Sequence, residues 1–223
     1  MASSYDPEGF GREERPPCQL YLISPPEIDL DAHAQALQRA LAAGTVAAYQ
    51  LRLKGLADDR IVAAARALRD ICAAHDVAFI LNDRMDLAQA AGADGVHLGQ
   101  EDGSVAEARQ LLGREAQIGV TCHASRHLAI EAAEGGADYV AFGAFFATRT
   151  KVVEHMAQPD ILRWWTSFSP VPCVAIGGIT VENCAPLVVA GADFLAVSAA
   201  VWNTDPARAV ADFERAMRPA NGA

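Results

Sequence analysis

Lysine is nearly missing from this chain. Among 223 residues there are two, Lys54 and Lys151, and arginine supplies the rest of the 18 basic side chains against 28 acidic ones. The formal net charge of −10 excludes a general nucleic-acid surface. In so acidic a chain, two retained lysines draw attention, with ordinary surface placement as the bland alternative. No apolar run approaches the roughly 20 residues of a membrane span, although 52% of the residues are hydrophobic. Residues 1–19 are polar and acidic (Asp6, Glu8, Glu13, Glu14). They lack the basic end and apolar stretch of a signal peptide, so residues 1–18 read as a flexible tail. The five cysteines (Cys18, Cys72, Cys122, Cys173, Cys184) include no CxxC and no Cys/His spacing for zinc. Reduced thiols and a cytoplasmic setting are the simpler expectation.

One local pattern recurs. A helix closes on small residues and Gly, then Ala-Asp, then an apolar strand. It appears at Ala91-Gly92-Ala93-Asp94, at Gly135-Gly136-Ala137-Asp138 and at Ala190-Gly191-Ala192-Asp193, with a degenerate copy at Ala43-Gly44-Thr45. Gly suits the left-handed backbone that ends a helix, and the apolar runs suit strands buried on both faces of a parallel sheet. The pattern predicts strands near 20–24, 46–52, 77–81, 94–98, 117–121, 138–143, 172–176 and 194–198. Helices are expected near 31–43, 58–75, 84–91, 104–112, 125–135, 157–168, 181–190 and 205–217. Asp58 or Asp59 can cap the second helix, whose apolar face holds Ile61, Ala64, Leu68, Ile71 and Cys72; Pro206 suits the start of the last. Eight strands alternating with eight helices over residues 19–218 predict a single (β/α)8 TIM barrel. An open doubly wound sheet is weakened because no GxGxxG follows the first strand.

In such a barrel, function sits at the carboxyl ends of the strands. Strand 2 runs into Gln50-Leu51-Arg52-Leu53-Lys54. Alternation turns Gln50, Arg52 and Lys54 to one side, the lumen or its mouth. Polar groups there are costly unless they bind something. An Arg beside a Lys suits a diphosphate, and a buried ion-pair cluster is the alternative. Strand 3 ends in Asn82-Asp83 and strand 4 leads to Asp102. Two carboxylates on adjacent strand ends can share Mg2+ with substrate phosphates, or each can cap the helix that follows. Strand 6 leads to Thr148-Arg149-Thr150-Lys151. Strand 7 ends in Ile176-Gly177-Gly178, and strand 8 in Val197-Ser198-Ala199. Glycine after strand 7 and a small residue after strand 8 are where barrels bind phosphate through backbone N–H groups. His97 reads as a satisfied core or mouth residue, while His123 follows a hydroxyl residue and cysteine at a strand end. Trp164 and Trp165 read as packing on the exterior.

The strings Gln50-x-Arg52-x-Lys54, Asn82-Asp83, Gly95-Val96-His97-Leu98-Gly99-Gln100-x-Asp102, Thr148-x-Thr150-Lys151 and Ala175-Ile176-Gly177-Gly178-Ile179 resemble the thiamine-phosphate synthase family in order and spacing, over roughly residues 19–215. The resemblance implies a Mg2+-dependent transferase of thiamine biosynthesis. Hydroxymethylpyrimidine diphosphate would lose pyrophosphate, and a thiazole phosphate would capture the resulting carbocation through its ring nitrogen. It implies that Gln50, Arg52, Lys54 and Asn82 hold the pyrimidine diphosphate, with Thr121 at the pyrimidine. Asp83 and Asp102 would bind Mg2+, and Lys151 would meet the pyrophosphate. Arg52, Lys54 and Lys151 are thus the expected catalytic cations. Thr148 and Thr150 would contact the thiazole phosphate, aided by Gly178, Val197 and Ser198. The implied partners are these two small molecules, with no nucleic acid and no membrane, and the sequence leaves room for a homo-oligomer. The chain departs from the family pattern in four places. Leu53 stands for Glu, Thr121 for Ser and Ala199 for Ser, and residues 152–157 lack a Gly. A thiazole tautomerase using a His near His123, or a barrel that binds a phosphate ligand without catalysis, are the competing readings.

Overall fold

The recurring Ala-Asp pairs show how the barrel is tied together. The computed structural model describes residues 15–147 and 156–218. At each of the three copies the aspartate precedes a strand and accepts from a backbone amide of the strand before it. Phe79 N donates to Asp94 Oδ2 at 2.7 Å, Ile118 N to Asp138 at 2.6 Å and Cys173 N to Asp193 at 2.7 Å. Two of these carboxylates also take an arginine, Arg109 on Asp138 and Arg15 on Asp193. Arg15 lies inside the stretch expected to be a loose tail, and it is held to the barrel floor ahead of the first strand. The degenerate copy has Thr45 instead, which turns to Glu214.

The strands are β1 (Gln19–Ile23), β2 (Val46–Leu51), β3 (Ala78–Asn82), β4 (Gly95–Leu98), β5 (Gln117–His123), β6 (Tyr139–Gly143), β7 (Cys173–Ile176) and β8 (Phe194–Val197). They pair in parallel and in sequence order, and β8 returns to β1, so the barrel is closed. The helices are α1 (Leu30–Leu41), α2 (Asp58–Ala74), α3 (Met85–Ala91), α4 (Val105–Leu112), α5 (Arg126–Glu134), α6 (Asp160–Thr166), α7 (Ala185–Val189), α8 (Ala199–Trp202) and α9 (Pro206–Met217). This is the (β/α)8 barrel that the periodicity predicts. Among the described residues no helix is long and apolar enough to cross a membrane.

Two apolar layers follow from the period-2 alternation of the strands. The larger fills the shell between strands and helices and includes Tyr49, Leu51, Phe79, Leu81, Val96, Val120 and Trp165. The smaller fills the lumen with Tyr21, Ile23, Ala48, Ile80, Tyr139, Ala141, Val174 and Ala196. Gly119 makes room there, since a Cβ at that position would lie 1.9 Å from the Tyr139 ring. Trp164 and Trp165 pack outside the strands on α6, as expected; Trp165 is buried and Trp164 sits under the Arg126 guanidinium.

Several local expectations need correction. Neither Asp58 nor Asp59 caps α2, whose N-cap is Ala57 without a side-chain bond; Asp58 pairs instead with Arg84. Helix α6 is shorter than 157–168 and α7 shorter than 181–190. Before α7 the chain makes a turn, with Thr180 N donating to Asn183 Oδ1 and Asn183 Nδ2 donating to Gly178 O. Helix α8 was not anticipated. Its Trp202 donates to Ile23 O at 2.6 Å and packs 4.6 Å from the His33 ring. These tertiary contacts hold a helix too short to be stable alone.

His33 on α1 is buried and meets the Tyr49 hydroxyl at 2.8 Å. Burial pushes its imidazole down to about 4. Above pH about 6.5 the ring is neutral in folded and unfolded chains, and no stability is lost. Below that, the unfolded chain takes up a proton first, so stability falls until pH about 4. Acidifying from pH 7.5 to 5 should cost up to about 2 kcal/mol through this ring. Urea midpoints at both pH values test it. His33→Gln should lose less on acidification than the unaltered chain, and an equal loss would remove His33 from the account.

Candidate active site at the carboxyl ends of the strands

Strand β2 turns Ala48 and Gln50 into the lumen and Tyr49 and Leu51 into the shell. Gln50 is 2% exposed, and its Nε2 has no hydrogen-bond partner among the described residues. An unpaired buried donor costs about 1–3 kcal/mol, so a ligand acceptor at that point would be favoured. Beyond the strand end, the Arg52 amide donates to Ser24 Oγ at 2.8 Å, which fixes the backbone from which the guanidinium extends. Lys54 Nζ reaches Asp83 Oδ2 at 2.6 Å.

Asp83 follows β3 with φ +65, a left-handed conformation uncommon outside glycine. Its amide donates to His97 O at 2.8 Å, and the next amide returns to Asn82 O. The outlier turns the Asp83 carboxylate toward Lys54 and Asp102. Asp102 accepts from the Gly99 amide at 2.8 Å and lies within hydrogen-bonding reach of Asp83. Desolvation, and then the Asp83 carboxylate, push the Asp102 carboxyl above its usual range, against the Gly99 amide and Lys54. Neither aspartate caps a helix. Ser104 caps α4 in a reciprocal box with Glu107, and α3 has no side-chain cap. The capping alternative is therefore removed for both. A hollow of about 280 Å³ opens beside them, lined by Lys54, Asn82, Asp83, Arg84 and Asp102 among others. A larger one of about 500 Å³ lies on the outer face of α1, far from this chemistry.

Deeper in the lumen runs a polar chain that the sequence reading missed in part. The Tyr21 and Tyr139 hydroxyls are 2.9 Å apart, Tyr139 meets His97 Nδ1 at 3.1 Å, and His97 Nε2 meets Thr121 Oγ1 at 2.7 Å. Burial pushes the His97 imidazole down to about 4, opposed by the nearby Asp83 charge. Thr121 points inward as expected, and its carbonyl accepts from Gln100 Nε2. The missed signal was parity: Tyr21 and Tyr139 occupy lumen positions of their strands, where a hydroxyl needs a partner. His123 sits exposed at a bulge between β5 and β6, with φ +52.

Opposite lies the glycine loop after β7. Gly177 has φ +104, and a Cβ there would lie 2.3 Å from Ala144 Cβ; at Gly178 a Cβ would lie 2.5 Å from Ala147 O. The loop after β6 therefore lies directly on the Gly-Gly turn, with Phe146 N donating to Gly177 O. Ser198 is the N-cap of α8 at the end of β8, makes no side-chain cap bond, and donates from its hydroxyl to Ser24 O. Val197 is packed in the outer shell, so it can offer only backbone groups to a ligand. Thr148, Thr150 and Lys151 lie outside the described residues. The structure thus brings together Gln50, Lys54, Asn82, Asp83, Asp102 and Thr121 at one mouth, with Gly178 and Ser198 at the ends of β7 and β8. Among the described residues no three His, Cys, Asp or Glu side chains cluster to hold a metal unaided.

The thiamine monophosphate synthase family profile matches residues 20–201. The chain belongs to this family. It is 60% identical over 203 residues to thiamine-phosphate synthase of Rhodospirillum centenum, covering 90% of this chain and 98% of that one. It is 59% identical over 201 residues to the enzyme of Erythrobacter litoralis, covering 88% and 94%. Thiamine phosphate pyrophosphorylase from Pyrococcus furiosus superposes with a TM-score of 0.79 at 29% identity, covering 92% and 97% of the two chains. As a thiamine monophosphate synthase family member, the chain is a transferase of thiamine biosynthesis. Leu53, where the family pattern has Glu, packs partly against the outer shell and also lines the hollow beside Lys54 and Asp83.

Proposed function

We propose that this mouth joins 4-amino-2-methyl-5-hydroxymethylpyrimidine diphosphate to a thiazole phosphate by dissociative substitution. The bond between the pyrimidine methylene carbon and the diphosphate oxygen breaks, and pyrophosphate leaves with the electron pair. The thiazole ring nitrogen then supplies its lone pair to the methylene carbon, giving thiamine phosphate. No proton moves, so no general base is required. The observation that carries this reading is the Lys54–Asp83–Asp102 cluster, together with a buried Gln50 Nε2 that has no partner among the described residues.

Two neighbouring carboxylates, one raised chiefly by desolvation and further by the other's charge, fit a divalent cation that would relieve their repulsion. Asp83 and Asp102 would hold Mg2+ through their carboxylate oxygens. Bound there, Mg2+ would neutralise charge building on the departing pyrophosphate. Arg52, Lys54 and Lys151 act on the same charge. Gln50 and Asn82 orient the pyrimidine. Thr148, Thr150, Gly178 and the backbone at Val197 and Ser198 bind the thiazole phosphate, a reading supported by the glycine turn and the short helix after β8. Five unpaired thiols suit a cytoplasmic setting.

The direct test is incubation of the purified chain with both substrates and Mg2+. Thiamine phosphate and pyrophosphate should appear in equal amounts. Pyrophosphate without thiamine phosphate would mean a hydrolase, and neither product would refute the reading. A second expectation concerns Thr121. Thr121→Ser should stay within a few-fold of the original kcat/KM, whereas Thr121→Val should lose about tenfold, about 1.4 kcal/mol. Normal kinetics in the Val variant would show that the hydroxyl has no role.

A further inference from the structure

Distances alone do not say which atoms donate along the Tyr21–Tyr139–His97–Thr121 chain; burial does. The Tyr21 hydroxyl is buried and, among the described residues, meets only Tyr139. If its proton pointed anywhere else, a donor would stand unpaired inside the lumen, which proteins avoid. Tyr21 therefore donates to Tyr139. Tyr139 in turn spends its one proton on His97 Nδ1, which must be a bare acceptor. The ring proton then sits on Nε2 and is donated to Thr121 Oγ1. The reverse chain, or a doubly protonated ring, would strand one of the two tyrosine protons. One proton is left over, that of the Thr121 hydroxyl. Thr121 is half-buried at the mouth, where a ligand can take it.

We infer that Tyr21, Tyr139 and His97 form a one-way hydrogen-bond relay that fixes the Thr121 hydroxyl as a donor toward an acceptor on the pyrimidine diphosphate. This rests on the reading of Thr121 as a substrate contact. His97 is then a positioning residue: it touches no substrate and acts by setting which way Thr121 faces. The relay also constrains specificity. The substrate atom opposite Thr121 must carry a lone pair, and an analogue with C–H or N–H at that point is rejected because two donors would face each other.

Long-range 1H–15N NMR of the substrate-free, histidine-labelled protein reads the tautomer directly, with His97 assigned by its loss in His97→Gln. The expected result is a pyrrole-type Nε2 and a pyridine-type Nδ1. A proton on Nδ1 would overturn the relay whatever the reaction. Kinetics supply the second reading. His97→Gln places an amide N–H near the Nε2 position and should keep kcat/KM within a few-fold, while His97→Leu should lower it by at least about tenfold. Tyr139→Phe removes the donor to Nδ1 and should leave a mixed tautomer. Equal kinetics in the Gln and Leu variants, or an unchanged tautomer in Tyr139→Phe, would sink the proposal. Absence of turnover in the unaltered chain would count against the proposed reaction, and the tautomer would still be decided because it is read without substrate.

Discussion

Asp102→Ala should lower kcat/KM by about a hundredfold, equivalent to about 2.7 kcal/mol of transition-state stabilisation. Asp83→Asn should do the same. Asparagine is the cleaner replacement at 83 because it tolerates the left-handed backbone there, whereas alanine would add strain of roughly 1 kcal/mol. Folding should change little. Both side chains are partly exposed, and the Lys54–Asp83 pair has side-chain exposures of 51% and 26%, a setting in which ion pairs contribute about 0–1 kcal/mol. The loss should therefore be in rate, with the melting temperature nearly unmoved. Asp83→Asn should also let the Asp102 carboxyl fall part of the way toward its ordinary range, because desolvation chiefly raises it and the Asp83 charge adds to that. Wild-type activity should decline as pH falls through the raised Asp102 value, and in the asparagine variant the acid limb should move to lower pH. Unchanged activity in both variants would end the metal assignment.

The second large effect concerns the two lysines. Lys54→Met should raise KM for the pyrimidine diphosphate by at least about thirtyfold, close to 2 kcal/mol, with a smaller change in kcat. Lys54 follows rigid β2 and is already fixed beside Asp83 at 2.6 Å. A cation fixed in this way binds the diphosphate in ground and transition state alike, and losing uniform binding raises KM. Lys151→Met should chiefly lower kcat, as expected of a charge spent on the departing pyrophosphate. Steady-state kinetics on both variants separates the roles. If both raised KM alone, diphosphate binding would stand and the division of labour would not.

The barrel was legible because its signals are local and repeated. Gly then Ala-Asp marks three of the helix-to-strand passages, and the three aspartates proved to be inter-strand clamps. Alternation along β2 placed Gln50 correctly, since period 2 leaves no freedom once Tyr49 is in the shell. Capping was less legible. Asp58, Asp83 and Asp102 all precede or open helices, yet each meets a group distant in sequence or a loop amide instead. Helix α8 depends on Trp202 reaching Ile23 and His33, contacts that four residues of sequence do not announce. The roles of Tyr21 and Tyr139 were hidden for a similar reason. Each looks like an ordinary strand aromatic, and only closure of the barrel brings β1, β4, β5 and β6 around one polar chain.

The most direct test of the central claim is the Mg2+ dependence of thiamine phosphate formation in the unaltered chain and in Asp102→Asn. After chelation the unaltered chain should be inactive and should recover along a saturable curve as Mg2+ is restored. Asp102→Asn should need at least about tenfold more Mg2+ for half-recovery, the usual scale on which a weakened ligand set shows itself. Full activity in the chelated chain, or superimposable Mg2+ curves for the two proteins, would contradict a metal–diphosphate site at the ends of β3 and β4.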